Sequence, residues 1–246
     1  MGQTGYRDYG TTMTGRFVSY DKYQKKLTIY VARRAGIPQS VEMVASPSVS
    51  LGSASPHVID LASAYATFAS QGIYAKPFII NEVQGPNKGI LYQGRIQAQE
   101  VFNKDVMADL TYALSRTTQS GTAAVVGARV ARPTAGKTGT SNDNASAWFN
   151  GYTPEVAASV AFYRDDATQS LNGIGGLTSV TGGSFPARIW AEFVKKYLAK
   201  APIQDFPPPV FIGGTEPVSY IDAVAEMDPA LIPPSPTPSP KSKKKR

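Results

Sequence analysis

The sequence predicts an α+β domain, in which a few antiparallel strands are covered by helices. Three strand-like segments follow one another closely at about 131–140, 146–152 and 156–164. Short connections between successive strands require antiparallel neighbours. Segments with apolar residues at helical spacing lie before and after them. With 42% hydrophobic and 17% charged residues, the chain has the composition of a globular protein, so we expect helices packed on one sheet.

Two helices are predicted before the strands. Apolar residues recur at helical spacing over 18–35, and Gly36 can act as the left-handed stop. The second helix begins with Ser55 as its N-cap and Pro56 in its first turn, and it ends near Gly72. Its apolar face is formed by Leu61, Ala64, Tyr65 and Phe68.

A hairpin and a third helix are predicted next. Residues 77–84 and 90–96 are expected to pair, because β-branched and aromatic residues flank a glycine- and proline-containing turn at 85–89. The helix is expected to run from a cap at Asn103 to about Gln119. Its inner face is predicted to consist of Val106, Met107, Leu110 and Leu114.

The last predicted helix follows a glycine-rich loop at 173–183. Its apolar stripe, which could cover the sheet, consists of Ile189, Phe193, Val194 and Tyr197. After residue 201 the composition changes to proline, serine and lysine. The proline runs at 207–209 and 233–240 favour extended polyproline geometry. We therefore expect a linker and a disordered basic tail at 202–246.

Most of the net charge lies in the last six residues of that tail, 241–246. Of the formal net charge of +7, five units come from Lys241, Lys243, Lys244, Lys245 and Arg246. The rest of the chain, residues 1–240, is only slightly basic. Its globular part lacks the clustered cations with interleaved aromatic residues that a nucleic-acid groove needs. A nucleic-acid arm formed by the tail is the weaker alternative, because the proline-rich stretch before it has no aromatic stacking residues. We expect no nucleic-acid partner.

The residue inventory excludes several chemistries. The chain has no cysteine, which excludes disulfides, thiolate catalysis and cysteine-ligated metal. His57 is the only histidine, and without a G-x-S-x-G segment we expect it to be solvated or to cap a helix. No metal and no cofactor are expected. No run reaches the ~18 to 20 apolar residues of a membrane span, and the start lacks the features of a signal peptide.

Four consecutive residues of the first predicted strand, Lys137, Thr138, Gly139 and Thr140, are the candidate substrate-binding residues. A lysine can neutralise a carboxylate, threonines can donate hydrogen bonds, and a glycine lets a ligand approach the backbone. The alternative is a strand that simply ends in the polar turn at 141–144. On the next strand, Trp148 and Tyr152 are expected to pack the sheet rather than to touch substrate.

The surroundings of these four residues favour the functional alternative. Residues 134–144 and 147–154 resemble the C-terminal half of the transpeptidase domain of class A penicillin-binding proteins. Further similar pieces occur in the expected order at 61–69, 120–123 and 182–190. The resemblance extends over roughly residues 30 to 200. It implies a partial transpeptidase domain of the fold shared by penicillin-binding proteins and serine β-lactamases.

The resemblance also implies a reaction and a set of partners. The family cross-links peptidoglycan at the cell envelope, where a serine attacks the D-Ala-D-Ala bond of a stem peptide and an amine resolves the acyl-enzyme; β-lactams mimic that substrate. Lys137 would then hold the substrate carboxylate and polarise the site, and Thr138 and Thr140 would be hydroxyl donors. The backbone N–H of Thr140 would form half of the oxyanion hole. The basic tail would add attraction to anionic wall polymers.

The nucleophile of the family lies in an S-x-x-K motif at a helix start, where the lysine takes the proton of the serine. The N-terminal match in this chain is formed by Ser19 and Lys22. The intervening Tyr20 and Asp21 are bulky and acidic, where the family prefers small or neutral residues. Too few residues also separate Ser19 from Lys137 for the rest of the domain. We expect Ser19 to be a solvated helix start rather than the nucleophile.

The second family motif, S-x-N, has no acceptable match before Lys137, and Ser170-Leu171-Asn172 follows it and is expected to be a loop. We therefore expect three parts: a divergent or truncated segment at 1–29, a partial transpeptidase domain at 30–201, and the linker and tail. Without a nucleophile, the chain alone should be inactive. The alternative is a non-catalytic module that binds stem peptides or cell wall.

Overall fold

The structure is a computed structural model that describes residues 28–166 and 168–212. The helices of this part of the chain are α1 (28–35), α2 (Val58–Ala69), α3 (Lys104–Gln119), α4 (Ala124–Arg129) and α5 (Phe185–Tyr197). The strands are β1 (Ile73–Ala75), β2 (Glu82–Gln84), β3 (Ile90–Gln93), β4 (Ala98–Glu100), β5 (Ala135–Thr140), β6 (Ser146–Tyr152) and β7 (Ala157–Tyr163). Short 3-10 helices lie at Pro47–Leu51, Asn142–Asn144 and Ile174–Gly176.

The central sheet consists of β5, β6 and β7 in that order, with both pairs antiparallel. Lys137 lies opposite Asn150, and Asn150 lies opposite Ser159. The prediction of three successive antiparallel strands is confirmed, with boundaries within a few residues of those expected. Among the described residues, β5 and β7 are therefore the two edges of the sheet.

Helices cover both faces of this sheet. Phe149 and Tyr152 of β6 are three positions apart, so their side chains lie on opposite faces. The ring of Phe149 packs edge-on against Trp190 of α5, with centroids 5.3 Å apart. On the other face, Tyr152 meets Tyr65 of α2 at 6.2 Å, and its hydroxyl lies 2.9 Å from that of Thr111 of α3. This confirms an antiparallel sheet covered by helices.

Helix α5 covers the sheet with a different stripe from the one predicted. Its buried residues are Pro186, Ala187, Trp190, Ala191 and Val194. Of the predicted stripe only Val194 is buried, whereas Ile189, Phe193 and Tyr197 are exposed. The small alanines let the helix approach closely enough for Trp190 to donate its indole N–H to the carbonyl of Ala158, at 3.0 Å. Hydrophobicity alone does not reveal this preference for small residues.

Helix α3 begins as predicted, because the Asn103 side chain accepts a hydrogen bond from the backbone N–H of Asp105. Its inner face was predicted only in part: Met107 is buried, but Val106 is exposed. The buried face is rich in hydroxyl residues and consists of Met107, Ala108, Thr111, Ser115 and Thr118. Thr118, for example, donates to the carbonyl of Thr134 at 2.8 Å. A paired hydroxyl can be buried at little cost, which hydropathy patterns do not show.

The first two helices end close to the predicted residues, but the N-cap of α2 differs from the prediction. Residues 28–35 are helical and Gly36 has a φ of 117°, whereas residues 18–27 of the predicted helix lie outside the described part. The N-cap of α2 is His57, so the assignment of Ser55 was wrong. The backbone N–H of His57 donates to the Asp60 carboxylate at 2.9 Å, while the imidazole is exposed, as expected for a capping residue.

Two antiparallel ribbons lie between α2 and α3. Strands β2 and β3 form the predicted hairpin, in which Val83 lies opposite Tyr92, although residues 77–81 are not part of the strand. Strands β1 and β4 form a second ribbon, in which Ile73 lies opposite Glu100. The second ribbon was not predicted, because strands of three residues are too short to show an alternating pattern.

Residues 202–212, which we call the strap, contain no helix or strand but are hydrogen bonded to the domain. Arg132 and Glu155 form an ion pair at 2.7 Å, and both side chains are about nine-tenths buried. Arg132 also donates to the carbonyls of Leu198 and Ala201, and Glu155 accepts the backbone N–H of Gln204. The pair therefore joins the end of α5 and the start of the strap to the β6–β7 turn.

The far end of the strap is bound by a single carboxylate. Asp109 of α3 accepts the backbone N–H groups of Val210, Phe211 and Ile212, at 2.7 to 2.9 Å. Phe211 has a φ of 55°, which is uncommon for a residue with a side chain, and its ring packs on Tyr112. Residues 213–246, with the predicted disordered tail, lie outside the described part. The predicted boundary at residue 201 stays a prediction.

Candidate substrate-binding site on strand β5

The four candidate residues lie on an edge strand, with β6 on one side of it. An edge strand presents alternate N–H and C=O groups along its outer margin. Alternation places Lys137 and Gly139 on the sheet face that carries Asn150, and Thr138 and Thr140 on the face that carries Phe149. The strand thus separates the cation from the two hydroxyls.

Lys137 is exposed, as expected for a residue that meets a ligand from solvent. Its ammonium donates one hydrogen bond, to the backbone carbonyl of Thr138, at 2.9 Å. An ammonium has three protons to donate. No carboxylate of the described residues forms an ion pair with it. The charge of Lys137 is therefore not neutralised by the described domain.

The two threonine hydroxyls are engaged within the domain. That of Thr138 lies 2.7 Å from the hydroxyl of Thr122, in the loop before α4. That of Thr140 accepts the backbone N–H of Gly182, at 3.1 Å. Thr140 can still donate its own proton. These contacts hold the flanking loops against β5, a role that sequence reasoning missed; the role of both hydroxyls as donors to substrate stays a prediction.

Gly139 has unfilled space beside it. A Cβ built on Gly139 would have Trp148 Cβ as its nearest neighbour, at 3.4 Å, which is an ordinary contact. A Cβ on Gly182, in contrast, would lie 2.2 Å from the carbonyl oxygen of Trp148, and one on Gly183 would lie 2.1 Å from that of Thr122. The fold requires glycine at 182 for close approach to the sheet and at 183 for close approach to the loop before α4, whereas it tolerates a methyl group at Gly139.

The neighbour of Lys137 across the strands is a buried amide that the described residues leave incompletely bonded. Asn150 is 8% exposed, and its Oδ1 has no hydrogen-bond partner there. The hydroxyl of Ser159, opposite Asn150 on β7, is likewise buried without a partner. A polar row therefore runs across the sheet from Lys137. The sequence carried no signal for it, because it depends on the register of three strands.

The tyrosines below this row are structural. Burial raises the pKa of Tyr152 to about 12, although its hydrogen bond with the Thr111 hydroxyl opposes the rise. Burial also raises the pKa of Tyr65, and the nearby Tyr152 adds to the effect. Both phenols are therefore protonated at neutral pH, which excludes them as general bases. The expectation that Tyr152 packs the sheet is confirmed.

The candidate nucleophile cannot be placed, because Ser19 and Lys22 lie outside the described residues. Among residues 28–212, no serine has a lysine three positions later. Ser170-Leu171-Asn172 is a loop, as expected: Leu171 is buried, and Asn172 forms a bridge with Ser179. The described part of the candidate site therefore contains the four candidate binding residues and no S-x-x-K motif.

Comparison with known proteins identifies the family to which the chain is similar. The family model of the penicillin binding protein transpeptidase domain matches residues 8–172. Penicillin-binding protein 1A of Mycolicibacterium smegmatis is 31% identical over 173 residues, which are 68% of this chain and 22% of that protein. Penicillin-binding protein 2D of Bacillus subtilis is 29% identical over 202 residues, which are 79% of this chain and 27% of that protein.

A solved structure shows the same fold. The PonA1 protein from Mycobacterium tuberculosis, in complex with penicillin V, is 28% identical to this chain with a TM-score of 0.66. The match covers 76% of this chain and 53% of that one. The chain therefore belongs to the penicillin-binding protein transpeptidase domain family, as the resemblance predicted, and the predicted fold class is confirmed.

The extent of the match adds two facts. It begins at residue 8, so it includes most of the segment 1–29 that was predicted to be divergent, and it ends before the glycine pair at 182–183. The chain spans only about a quarter of the length of the two curated relatives.

The family acts in the cross-linking of cell-wall peptidoglycan and is associated with the cell envelope. The described residues include no helix that is long and apolar enough to span a bilayer.

Proposed function

We propose that residues 30–201 provide the carboxylate-binding half of a D,D-transpeptidase site. Its ligands are D-Ala-D-Ala stem peptides of peptidoglycan and the β-lactams that mimic them. The observation that carries the proposal is the exposed ammonium of Lys137 on β5, which no carboxylate of residues 28–166 or 168–212 neutralises. Two positions further along is Gly139, where an added Cβ would make only an ordinary contact. A cation and an accessible backbone at one strand margin suit an extended peptide that ends in a carboxylate.

Each residue has a distinct part in this arrangement. The peptide lies along the outer margin of β5 by main-chain pairing. Lys137 neutralises the terminal carboxylate, and Gly139 lets the peptide backbone come close. The N–H of Thr140 points to a position where a carbonyl oxygen would gain charge during acyl transfer. Thr138 and Thr140 keep the strand in place through their contacts with Thr122 and Gly182.

The covalent step requires a nucleophile that residues 28–212 do not supply as an S-x-x-K motif. In that step a serine oxygen bonds to the penultimate D-alanine carbonyl, its proton passes to a lysine, and the terminal D-alanine leaves with a proton. We therefore propose that this chain alone forms no acyl-enzyme. The remaining activity is reversible binding of the substrate carboxylate.

Labelling with a fluorescent penicillin tests the covalent part. We expect no band that survives denaturation and gel electrophoresis with the purified chain, with or without the substitution Ser19→Ala. A stable band would contradict the proposal. Its loss in Ser19→Ala, with Ser55→Ala as the control, would then identify Ser19 as the nucleophile.

Equilibrium binding tests the reversible part. We expect Lys137→Gln to weaken the binding of an acyl-D-Ala-D-Ala peptide about tenfold, since a charge-assisted contact is lost. The matched control is Lys200→Gln, which removes a lysine elsewhere in the described domain. The peptide carboxamide, which lacks the terminal charge, should bind equally to both variants. Equal affinities of the two variants for the free acid would contradict the role of Lys137.

We further propose that the basic tail adds attraction to anionic wall polymers. The support is the charge count, since residues 241–246 at the end of the tail carry a charge of +5, out of a net charge of +7 for the chain. We expect salt-sensitive retention on isolated cell walls that falls when the five tail cations are replaced by glutamine. Retention that is unaffected by salt and by this replacement would contradict it.

A further inference from the structure

Residues 76–96, which we call the apolar hairpin, carry an unusual number of exposed apolar side chains. Ile79 is 97% exposed and Leu91 is 72% exposed. The other exposed large apolar residues of the hairpin are Phe78, Ile80, Val83, Ile90, Tyr92 and Ile96. Exposed apolar side chains that are contiguous, rather than scattered singly, mark interaction sites.

The backbone of the apolar hairpin is well bonded although its side chains are not covered. The turn is closed by the N–H of Gly85, which donates to Gly89 at 2.8 Å. At the base, the N–H of Gly94 donates to Asn81 at 2.7 Å, and the ring of Phe78 lies against Gly94. A two-stranded hairpin is marginal in water by itself. The apolar hairpin exposes its apolar side chains to solvent instead of packing them on the domain. Burial of these side chains in an apolar environment would therefore stabilise the hairpin.

The apolar groups lie on both sides of the hairpin. Phe78, Ile79, Ile80, Val83 and Tyr92 line an open groove on one side. Ile90 lies on the other side, because it is paired with Gln84, which follows Val83 in strand β2. A partner with a flat surface could cover only one side. A fluid apolar medium into which the hairpin inserts covers both.

The charges of the hairpin indicate what kind of medium this is. Its cations are Lys76, Lys88 and Arg95, and its single carboxylate is Glu82. Aliphatic and aromatic side chains flanked by cations suit the interface of a bilayer with anionic headgroups. We propose that the apolar hairpin inserts into the interfacial region of an anionic lipid bilayer and docks the domain on a membrane surface.

Co-sedimentation with vesicles tests this in the full chain. We expect binding to vesicles of phosphatidylcholine and phosphatidylglycerol, and about tenfold weaker binding after the double substitution Ile79→Ser and Leu91→Ser. The matched control is the pair Leu51→Ser and Ile203→Ser, which removes the same two side-chain types at positions that are 88% and 63% exposed outside the hairpin. The basic tail is unchanged in both variants, so its own contribution cancels. Equal binding of the two double variants would overturn the proposal.

A fluorescent probe gives a second readout. Because the chain has no cysteine, Ile79→Cys and Leu51→Cys can each be labelled at one position with an environment-sensitive dye. We expect a blue shift on vesicles for the label at 79 and none for the label at 51. Equal shifts, or none at either position, would overturn the insertion. Sedimentation without lipid identifies the competing occupant: a dimer abolished by Ile79→Ser and Leu91→Ser, with no vesicle binding, would assign the hairpin to a second copy and overturn the proposal.

Discussion

Two glycines that lie close together at strand β5 are there for different reasons. Gly182 lies against the carbonyl oxygens of Trp148 and Gly139, whereas Gly139 has open space on its own side. We expect Gly182→Ala to lower the free energy of unfolding by about 1–3 kcal/mol, because the added methyl group forces the loop away from the sheet. We expect Gly139→Ala to leave stability nearly unchanged but to weaken stem-peptide binding.

Urea denaturation and peptide binding of the two variants separate these effects. Gly89→Ala is the control, since a Cβ at Gly89 would meet nothing within 4 Å. If Gly139→Ala bound peptide as well as Gly89→Ala, the open space would have no role in ligand approach. If Gly182→Ala were as stable as the control, the close contact would not constrain the loop.

The buried hydroxyl of Tyr152 makes stability depend on alkaline pH. Its pKa is about 12 in the folded domain and about 10 in an unfolded chain. The folded state therefore holds the proton more tightly, so this stabilisation is complete below about pH 10 and is lost as the pH rises through about 12. We expect denaturation midpoints that fall from about pH 10 upward.

Tyr152→Phe isolates the effect from the general loss of stability in alkali. In this variant the denaturation midpoint should fall less steeply with rising pH. Part of the pH dependence should remain, because burial raises the pKa of Tyr65 as well. Tyr163→Phe, at an exposed position, is the control and should follow the parent chain. Parallel curves for Tyr152→Phe and the parent would contradict the prediction.

At the scale of elements, the strap is an irregular segment held at its end by one carboxylate. The backbone N–H of Phe211, together with those of Ile212 and Val210, lowers the pKa of Asp109. The contact is therefore present above the usual carboxyl pKa and is lost as the pH falls through the lowered value. We expect Asp109→Asn to accelerate amide exchange at 210–212 about tenfold without a change in the central sheet.

Hydrogen exchange followed by NMR checks this prediction. Asp165→Asn, in the loop after β7, removes a charge without touching the strap. Unchanged exchange at 210–212 in Asp109→Asn would show that the aromatic contact between Phe211 and Tyr112 suffices to hold the strap.

The elements also show what sequence could and could not predict. The longer segments, such as α3, β6 and β7, were found because they have enough residues to show a helical or strand-like composition and pattern. The inner face of α3 was predicted in part because its buried threonines are paired with groups distant in sequence. The short helix α4 and the β1–β4 ribbon were missed, because six or three residues are too few for a periodic signal.

The same reasoning explains the result at the site. The sequence was enough to single out Lys137, Thr138, Gly139 and Thr140, because these four residues are consecutive and their side-chain types are known from the sequence alone. The contact of Gly182 with Thr140 joins residues 42 positions apart, and the partnerless amide of Asn150 depends on strand register. Sequence patterns do not contain such information, since it arises only when the chain has folded.

At the scale of the whole molecule, one buried ion pair joins the β6–β7 turn, the end of α5 and the strap. Burial raises the pKa of Glu155, but hydrogen bonds from Thr153 and Gln204 and the charge of Arg132 outweigh it, so the pKa is lower than usual. We expect Arg132→Leu to destabilise the domain by about 3–5 kcal/mol, because the carboxylate stays buried without its partner.

The double variant Arg132→Leu and Glu155→Leu tests whether the destabilisation of Arg132→Leu arises from the unpaired carboxylate of Glu155. Removing both charges should restore most of the lost stability, since the desolvation penalty of the carboxylate disappears. The exposed pair Arg129 and Glu192, at 3.2 Å, is the control and should contribute under about 1 kcal/mol. Chemical denaturation gives the free energy of unfolding of the single variant, the double variant and the variants of the control pair. An Arg132→Leu variant as stable as Arg129→Leu would contradict the assignment.

Strand β7, which in the described part of the chain is the edge of the central sheet opposite β5, affects how the protein behaves in concentrated solution. Its seven residues contain neither a charged side chain nor proline, the features by which natural edge strands resist pairing with other chains. Uncharged segments with β-branched and aromatic residues are the ones that stack into intermolecular sheets. Aggregation through this margin, rather than unfolding, is therefore expected to limit the concentration at which the chain can be kept in solution.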